Sequence, residues 1–290
     1  MFADAYEVVK QFTRPVVISQ RLANGQVTCG IGSFIIVNAD GWIATAAHIV
    51  EPMRTFTLHQ QERSDYETRL LQIRQDQSLS SSQRKRQIAN LVRNPEWIVN
   101  QSYWWAMQSP AVGATFQVNA VADVAIGRLN NFDVSGVAGF PVFKNPTSDP
   151  RLGSSLCRLG FPFHSLTALF DEAANNFTIQ NFSPPPMFPN DGIHTRLAIV
   201  PDALGAPLAK FIETSTPGLR GQSGGPLFDV KGEIWGIQSR TVHLELGFSP
   251  KKKDGPREIV EHQFMNVGLA AHVSHLVELF RQHGVQFASV

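Results

Sequence analysis

Residues Gly221-Gln222-Ser223-Gly224-Gly225-Pro226-Leu227-Phe228 (GQSGGPLF) set one serine among glycines and then resume an apolar, β-prone sequence. Glycine-rich runs are ordinarily turns, because glycine adopts φ > 0 at little steric cost. A tight turn also makes backbone N–H groups converge. A serine held in one is a candidate nucleophile, with donors beside it for a developing oxyanion.

A serine hydroxyl is a weak nucleophile at neutral pH. It needs a base, usually histidine, and the histidine needs a carboxylate to fix its tautomer and stabilise its charged form. Of nine histidines, His48 ends the apolar run Gly41-Trp42-Ile43-Ala44-Thr45-Ala46-Ala47-His48, where small alanines leave room for a substrate. Asp123 opens the apolar run of Val121-Ala122-Asp123-Val124-Ala125-Ile126. An acid in that setting is costly unless it has a partner. The strand that follows Ser223 separates GQSGGP from the G-x-S-x-G elbow, which leads into a helix, and the order His48, Asp123, Ser223 is neither the subtilisin nor the α/β-hydrolase order.

The rest of the chain is punctuated β-sequence. Short β-branched and aromatic runs recur at 15–19, 32–37, 42–46, 55–58, 115–118, 124–129, 155–159, 177–179, 195–200, 210–214, 226–230, 233–239 and 263–270, with Gly, Pro, Asn and Asp between them. That pattern predicts an all-β sandwich or pair of barrels. Asp229-Val230-Lys231-Gly232 reads as a hairpin turn. Helical signals interrupt the pattern over 60–110: a capping box at Ser64–Glu67 ahead of Tyr66, Leu70 and Ile73, and a second helix starting near Ser80 and stopping at Asn94-Pro95. The aromatics Trp97, Tyr103, Trp104 and Trp105 follow. Val273, Leu276, Leu279 and Phe280, closed by Gly284, predict a C-terminal helix over 272–284. Pro141–Arg151, with three prolines, reads as a linker. Residues 1–140 are thus expected to form one barrel, carrying His48 and Asp123, and 141–290 a second, carrying Ser223.

Composition excludes other classes. Of the 290 residues, 43% are hydrophobic and 17% charged, so a sizeable core is expected rather than disorder. A net charge of +1 gives no global attraction to nucleic acid or an anionic membrane. Arg84-Lys85-Arg86 and Lys251-Lys252-Lys253 read as solvated surface. Cys29 and Cys157 are no disulfide framework. The first residues lack the basic and apolar regions of a secretory signal, and no apolar run is long enough to span a bilayer. The expectation is a cytoplasmic protein with no metal or cofactor; His272 and His275, spaced i, i+3, lack further ligands and read as structural.

Thr45-Ala46-Ala47-His48, Asp123-Val124-Ala125-Ile126 and Gly221–Pro226, in that order, resemble the trypsin/chymotrypsin superfamily of serine proteases. Residues 32–48, 156–162 and 267–273 resemble its HtrA/Deg-like bacterial branch, with no PDZ module following. The resemblance implies a chymotrypsin-like double β-barrel and a serine endopeptidase acting on protein or peptide. It implies His48 as base and then acid, Asp123 as its orienting carboxylate, Ser223 as nucleophile, and the N–H groups of Gly221 and Ser223 as the oxyanion hole. It makes Ser239 a support for Asp123, and Arg240 and Thr241 a strand that pairs with substrate.

Two departures from the family carry expectations. Gln222 stands where trypsin-like zymogens have the aspartate that pairs with a freed N-terminus, so activation is expected not to depend on N-terminal cleavage. Pro217 and Gly218 stand where a trypsin-like pocket has its acid, so an apolar or small side chain is expected before the cleaved bond, with residues near Val267 and Gly268 on the far wall. The extra 60–110 segment is expected to be an insertion, either a satellite core or a docking element for a regulatory partner. A second insertion, 243–262, reads as a specificity loop or a passive one. The same residues also fit a silent protease fold used as a binding module, or an esterase or transacylase using the same triad.

Overall fold

The computed structural model describes residues 1–108, 114–130, 133, 135–181, 183–254, 257–260 and 263–290. Residues 109 and 110 of the first insertion and 255, 256, 261 and 262 of the second lie outside the described residues.

After a short helix α1 (Ala3–Val9), the chain builds a six-stranded antiparallel sheet from β1 (Thr13–Leu22), β2 (Val27–Ile36), β3 (Trp42–Thr45), β4 (Ile98–Trp105), β5 (Ala114–Asn119) and β6 (Val124–Leu129). The order is β4-β1-β2-β3-β6-β5. Its central strands are continuous apolar runs: Phe34–Ile36, Ile43–Ala44 and Val124–Ile126 are all fully buried. Such runs form where a strand is covered on both faces.

The second half gives β7 (Val142–Phe143), β8 (Ser155–Gly160), a hairpin of β9 (Thr167–Asp171) and β10 (Asn176–Gln180), then β11 (Phe188–Pro201), β12 (Pro207–Thr214), β13 (Pro226–Phe228) and β14 (Ile234–Glu245). A hairpin of β15 (Lys251–Asp254) and β16 (Arg257–Val260) precedes β17 (Phe264–His272), and β18 (Ala288–Ser289) comes last. The order β13-β8-β11-β12-β17-β14 is closed by pairing of β13 with β14, which makes a barrel. The turn at 229–232 is formed as expected, with the Gly232 N–H donating to the Asp229 carbonyl at 2.9 Å. The proline-rich 141–151 segment is more than a linker: its β7 pairs in parallel with β14 and β18.

The termini cross over. Phe2, next to α1, stacks edge-on against Phe228 of the second barrel, with centroids 6.0 Å apart. The C-terminal helix α4 (Val273–Gln282) packs on β6 of the first sheet. One apolar core consequently runs through both sheets.

The first insertion departs from its sequence reading. A single helix, α2 (Ala47–Gln75), begins beside His48 and absorbs both the strand expected at 55–58 and the capping box at 64–67. Its 29 residues extend about 43 Å at 1.5 Å per residue. β-branched Thr55 and Thr57 favour strands, but here their hydroxyls bond back to the carbonyls of Glu51 and Met53. Tertiary contacts then hold the helix: the Ile98 N–H donates to the His59 ring at 2.9 Å and the Trp97 indole to Glu62 at 2.7 Å. α3 (Ser81–Ala89) starts at Ser80 with the reciprocal capping box, but ends at Asn90 rather than at Asn94-Pro95. Trp97, Tyr103 and Trp105 are buried, so they close a core instead of offering an aromatic docking surface.

Cys29 and Cys157 are free thiols, and burial pushes both pKa values up, that of Cys157 to about 12. His272 is fully buried and donates through Nε2 to the Ser148 carbonyl at 3.1 Å, while Nδ1 accepts from the Ser274 N–H. His275 accepts from the Lys210 N–H at 2.9 Å. Both rings thus serve the backbone.

Burial, with Lys210 nearby, lowers the His272 pKa to about 4. An unfolded histidine titrates near 6.5. Between these values the unfolded chain binds the extra proton, so stability should hold above pH 6.5 and fall as pH drops toward 4. The loss should be on the order of 3 kcal/mol. Urea unfolding at pH 7 and at pH 4.5 checks this; the drop should shrink in His272→Asn.

Candidate active site

Ser223 sits in a turn pressed against the first sheet. Gly221 has φ +94° and Gly224 φ +83°, values an L side chain resists. Space is equally prohibitive: a Cβ on Gly221 would stand 2.3 Å from the Phe161 carbonyl oxygen, and one on Gly224 2.1 Å from that of Ser33. The turn is pinned by Ser33 of β2, whose N–H donates to the Ser223 carbonyl at 2.8 Å and whose hydroxyl donates to the Gly221 carbonyl at 2.6 Å. The Phe161 N–H also donates to the Gly221 carbonyl, at 3.1 Å. The N–H groups of Gly221 and Ser223 have no acceptor among the described residues.

Gln222 is fully buried and satisfied at both ends of its amide. Its Oε1 accepts from the Leu219 N–H at 2.9 Å, and its Nε2 donates to the Phe188 carbonyl at 3.1 Å. A neutral side chain thus closes the turn using groups already present in the second barrel.

His48 lies one residue inside α2, where β3 hands over to the helix. Its Nδ1 is 2.9 Å from Asp123 Oδ2 and 3.1 Å from Oδ1, and its backbone N–H donates to Oδ1 at 3.0 Å. The Ser239 hydroxyl donates to Oδ2 at 2.5 Å. Burial pushes the Asp123 carboxyl up, but hydrogen bonds and attraction from His48, with the Ser239 hydroxyl, outweigh it and hold the group below its ordinary range. The aspartate is therefore ionised at neutral pH and engaged on both oxygens.

Two local distortions aim these side chains. Asp123 adopts φ +55°, a left-handed conformation that aspartate tolerates better than most residues. Ser239 is the extra residue of a bulge: Gln238 pairs with Ala270 and Arg240 with Leu269. Bulges of this kind turn a side chain off the regular alternation.

The structure joins His48, Asp123 and Ser239 in one hydrogen-bonded chain. Ser223 lines the same cavity, of about 740 Å³, but its hydroxyl donates to the Ser239 carbonyl at 3.3 Å, and no hydrogen bond links it to His48. Pro217, Gly218, Arg240 and Thr241 line this cavity too, and Thr241 Oγ1 donates to the Gly218 carbonyl at 2.7 Å. Beyond Ile237, β14 has β17 on one edge and no strand on the other among the described residues.

Sequence reasoning put the far wall near Val267 and Gly268, and it is their neighbour Asn266, with His243, that lines the cavity, while Val267 is buried and Gly268 presses on Arg158 and Thr216. It also passed over Ser33, Gln238 and Arg158. Arg158 is 1% exposed, bonds Thr214 Oγ1, and donates to the carbonyls of Thr216 and Pro217 at 2.9 and 3.0 Å. Burial lowers its pKa to about 10, so it keeps its charge at neutral pH while bracing the 214–217 segment from below. The signal for Arg158 was visible: one cation inside the apolar run 155–161. Ser33 and Gln238 gave none, because both are ordinary polar residues in strands.

The family model for the trypsin-like peptidase domain matches residues 32–237. A comparison with curated proteins returned no match. Among solved structures, the Rv3671c protease from M. tuberculosis, in its active form, is similar at 14% identity and a TM-score of 0.48, with 98% of this chain and 86% of that one covered. Among the described residues, no helix is long and apolar enough to cross a membrane.

Ser33→Ala removes one of two donors to the Gly221 carbonyl and leaves the Phe161 N–H. Stability should therefore fall by only about 1 kcal/mol, and if Ser223 reacts with a fluorophosphonate, its labelling should slow because the turn is less firmly held. Urea unfolding and the rate of labelling by a fluorophosphonate check the pair; an unchanged labelling rate would remove Ser33 from the positioning of the turn.

Proposed function

The chain belongs to the trypsin-like peptidase family, and on that premise we propose that it is a serine endopeptidase using His48, Asp123 and Ser223. The observation that carries the reading is the His48–Asp123–Ser239 chain in one cavity with Ser223, beside two backbone N–H groups with no acceptor among the described residues.

Asp123 accepts the Nδ1 proton of His48, which leaves Nε2 as the basic nitrogen. Rotation of the Ser223 side chain away from the Ser239 carbonyl brings its hydroxyl to Nε2. Hydrogen bonds of this kind are often loose without substrate and tighten in the reacting complex. Nε2 takes the Ser223 proton as Oγ bonds to the scissile carbonyl carbon. The charge that develops on the carbonyl oxygen is met by the N–H groups of Gly221 and Ser223. His48 then returns its proton to the leaving amine as the C–N bond breaks, and water, deprotonated by His48, hydrolyses the acyl-enzyme. The chemistry calls for no metal or cofactor.

The open edge of β14 at Arg240 and Thr241 suits an extended peptide added as another strand, a mode in which main-chain bonds give affinity. Among the described residues lining the cavity, Asp123 is the one carboxylate, and it is committed to His48. Only Ala120 and Pro217 among its described lining side chains are apolar, so the reading favours a small side chain before the scissile bond over a large apolar one. A regulatory partner at the 60–110 insertion would have to read the polar outer faces of α2 and α3.

One observation favours a second reading, a protease fold kept for binding: the Ser223 hydroxyl is bonded to the Ser239 carbonyl, not to His48. A fluorophosphonate separates the two. Labelling at Ser223 that disappears in His48→Ala supports the enzyme, and a folded protein that never labels supports the binding module. For the enzyme, Asp123→Asn should lower kcat about 10⁴-fold through the wrong histidine tautomer; steady-state cleavage of an unstructured protein measures it.

A further inference from the structure

Gln238 is the last regular residue of β14 before the Ser239 bulge, and it is 1% exposed. Its side chain lies against Gly218, where a Cβ would stand 2.1 Å from Nε2 and 3.3 Å from Cγ. Nε2 donates to the Arg240 carbonyl at 3.2 Å. That bond fixes the orientation of the amide, because turning it over would set oxygen against oxygen. Oε1 is left as the one buried side-chain polar atom without a hydrogen-bond partner among the described residues lining the cleft. Buried acceptors are nearly always paired, since an unpaired one loses its water for nothing.

Gln238 lines the same cavity as Ser223, beside Gly218. A peptide laid along Arg240 and Thr241 with its carbonyl over Ser223 drops the preceding side chain between the 217–218 and 238–239 segments. Gln238 and Gly218 meet there. The Gln238 amide against Gly218 makes this slot short. Arg220, exposed on the cavity wall, opposes a cationic side chain, while the Arg240 guanidinium lies over the Phe211 ring, 4.8 Å from its centroid. A neutral donor of small size fits all three conditions.

Resting on the serine-peptidase reading above, we propose that Gln238 Oε1 selects the residue before the scissile bond by accepting its hydrogen bond, which makes the substrates peptides with Ser, Thr or Asn at that position. A site built around a buried acceptor discriminates against an isostere that lacks the donor, because the acceptor then stays unpaired.

The test uses the full chain and quenched peptides that differ only at this position, in the pairs Ser/Ala and Thr/Val. Expected is a kcat/KM at least about tenfold higher for the donor of each pair, the effect of one hydrogen bond. Gln238→Met, which keeps length and lacks the acceptor, should bring both ratios to about one. The wild-type ratios carry the test by themselves should that variant not fold. Cleavage in which Ala matches Ser and Val matches Thr overturns this inference and leaves the peptidase standing. No cleavage of any peptide and no fluorophosphonate labelling overturns the peptidase reading, and this one with it.

Discussion

The site depends on the contact between Ser33 and the glycine turn. Ser33 belongs to the first sheet and the turn to the second barrel, yet two hydrogen bonds from this one residue reach the carbonyls of Ser223 and Gly221. They fix the height and tilt of the Ser223 turn relative to the strand that leads to His48. Thr45 extends the link, its hydroxyl donating to the Ser33 carbonyl at 2.7 Å. Because the whole junction is buried, each of these bonds lies in a low-dielectric setting where leaving it unmade is costly.

A second junction runs the other way. Ser239 of the second barrel donates to Asp123 of the first, through a bulge on one side and a left-handed residue on the other. Irregular backbone at both ends is needed because regular strands would point these side chains up or down their own sheets. Such departures persist only where the surroundings over-determine them. Here the shared core and the crossed helices α1 and α4 supply that constraint.

The electrostatic design is spare. Gln222 closes the Ser223 turn without charge, so the turn's geometry draws on no ion pair. Arg158 is charged and buried, but its protons go to hydroxyls and carbonyls of the 214–217 segment, and they stiffen the wall of the cleft. The negative charge of Asp123 is the one the proposed chemistry draws on, and both of its oxygens are committed to groups that orient or stabilise His48.

The sequence by itself determined the β-rich architecture and the C-terminal helix, which rest on local period and turn chemistry; motif order and the family resemblance brought forward His48, Asp123, Ser223 and Ser239 as candidates, and the fold brings those four to one cavity. It went wrong at Thr55–Leu58, where β-branched residues suggested a strand and contacts with Trp97 and Ile98 hold a helix instead. It left Trp97, Tyr103 and Trp105 open between a satellite core and a docking surface, and their burial decides for the core. Ser33, Arg158 and Gln238 became visible only in three dimensions. Each owes its importance to a partner far away along the chain, and a residue's own neighbours in sequence carry no trace of which distant carbonyl it will meet.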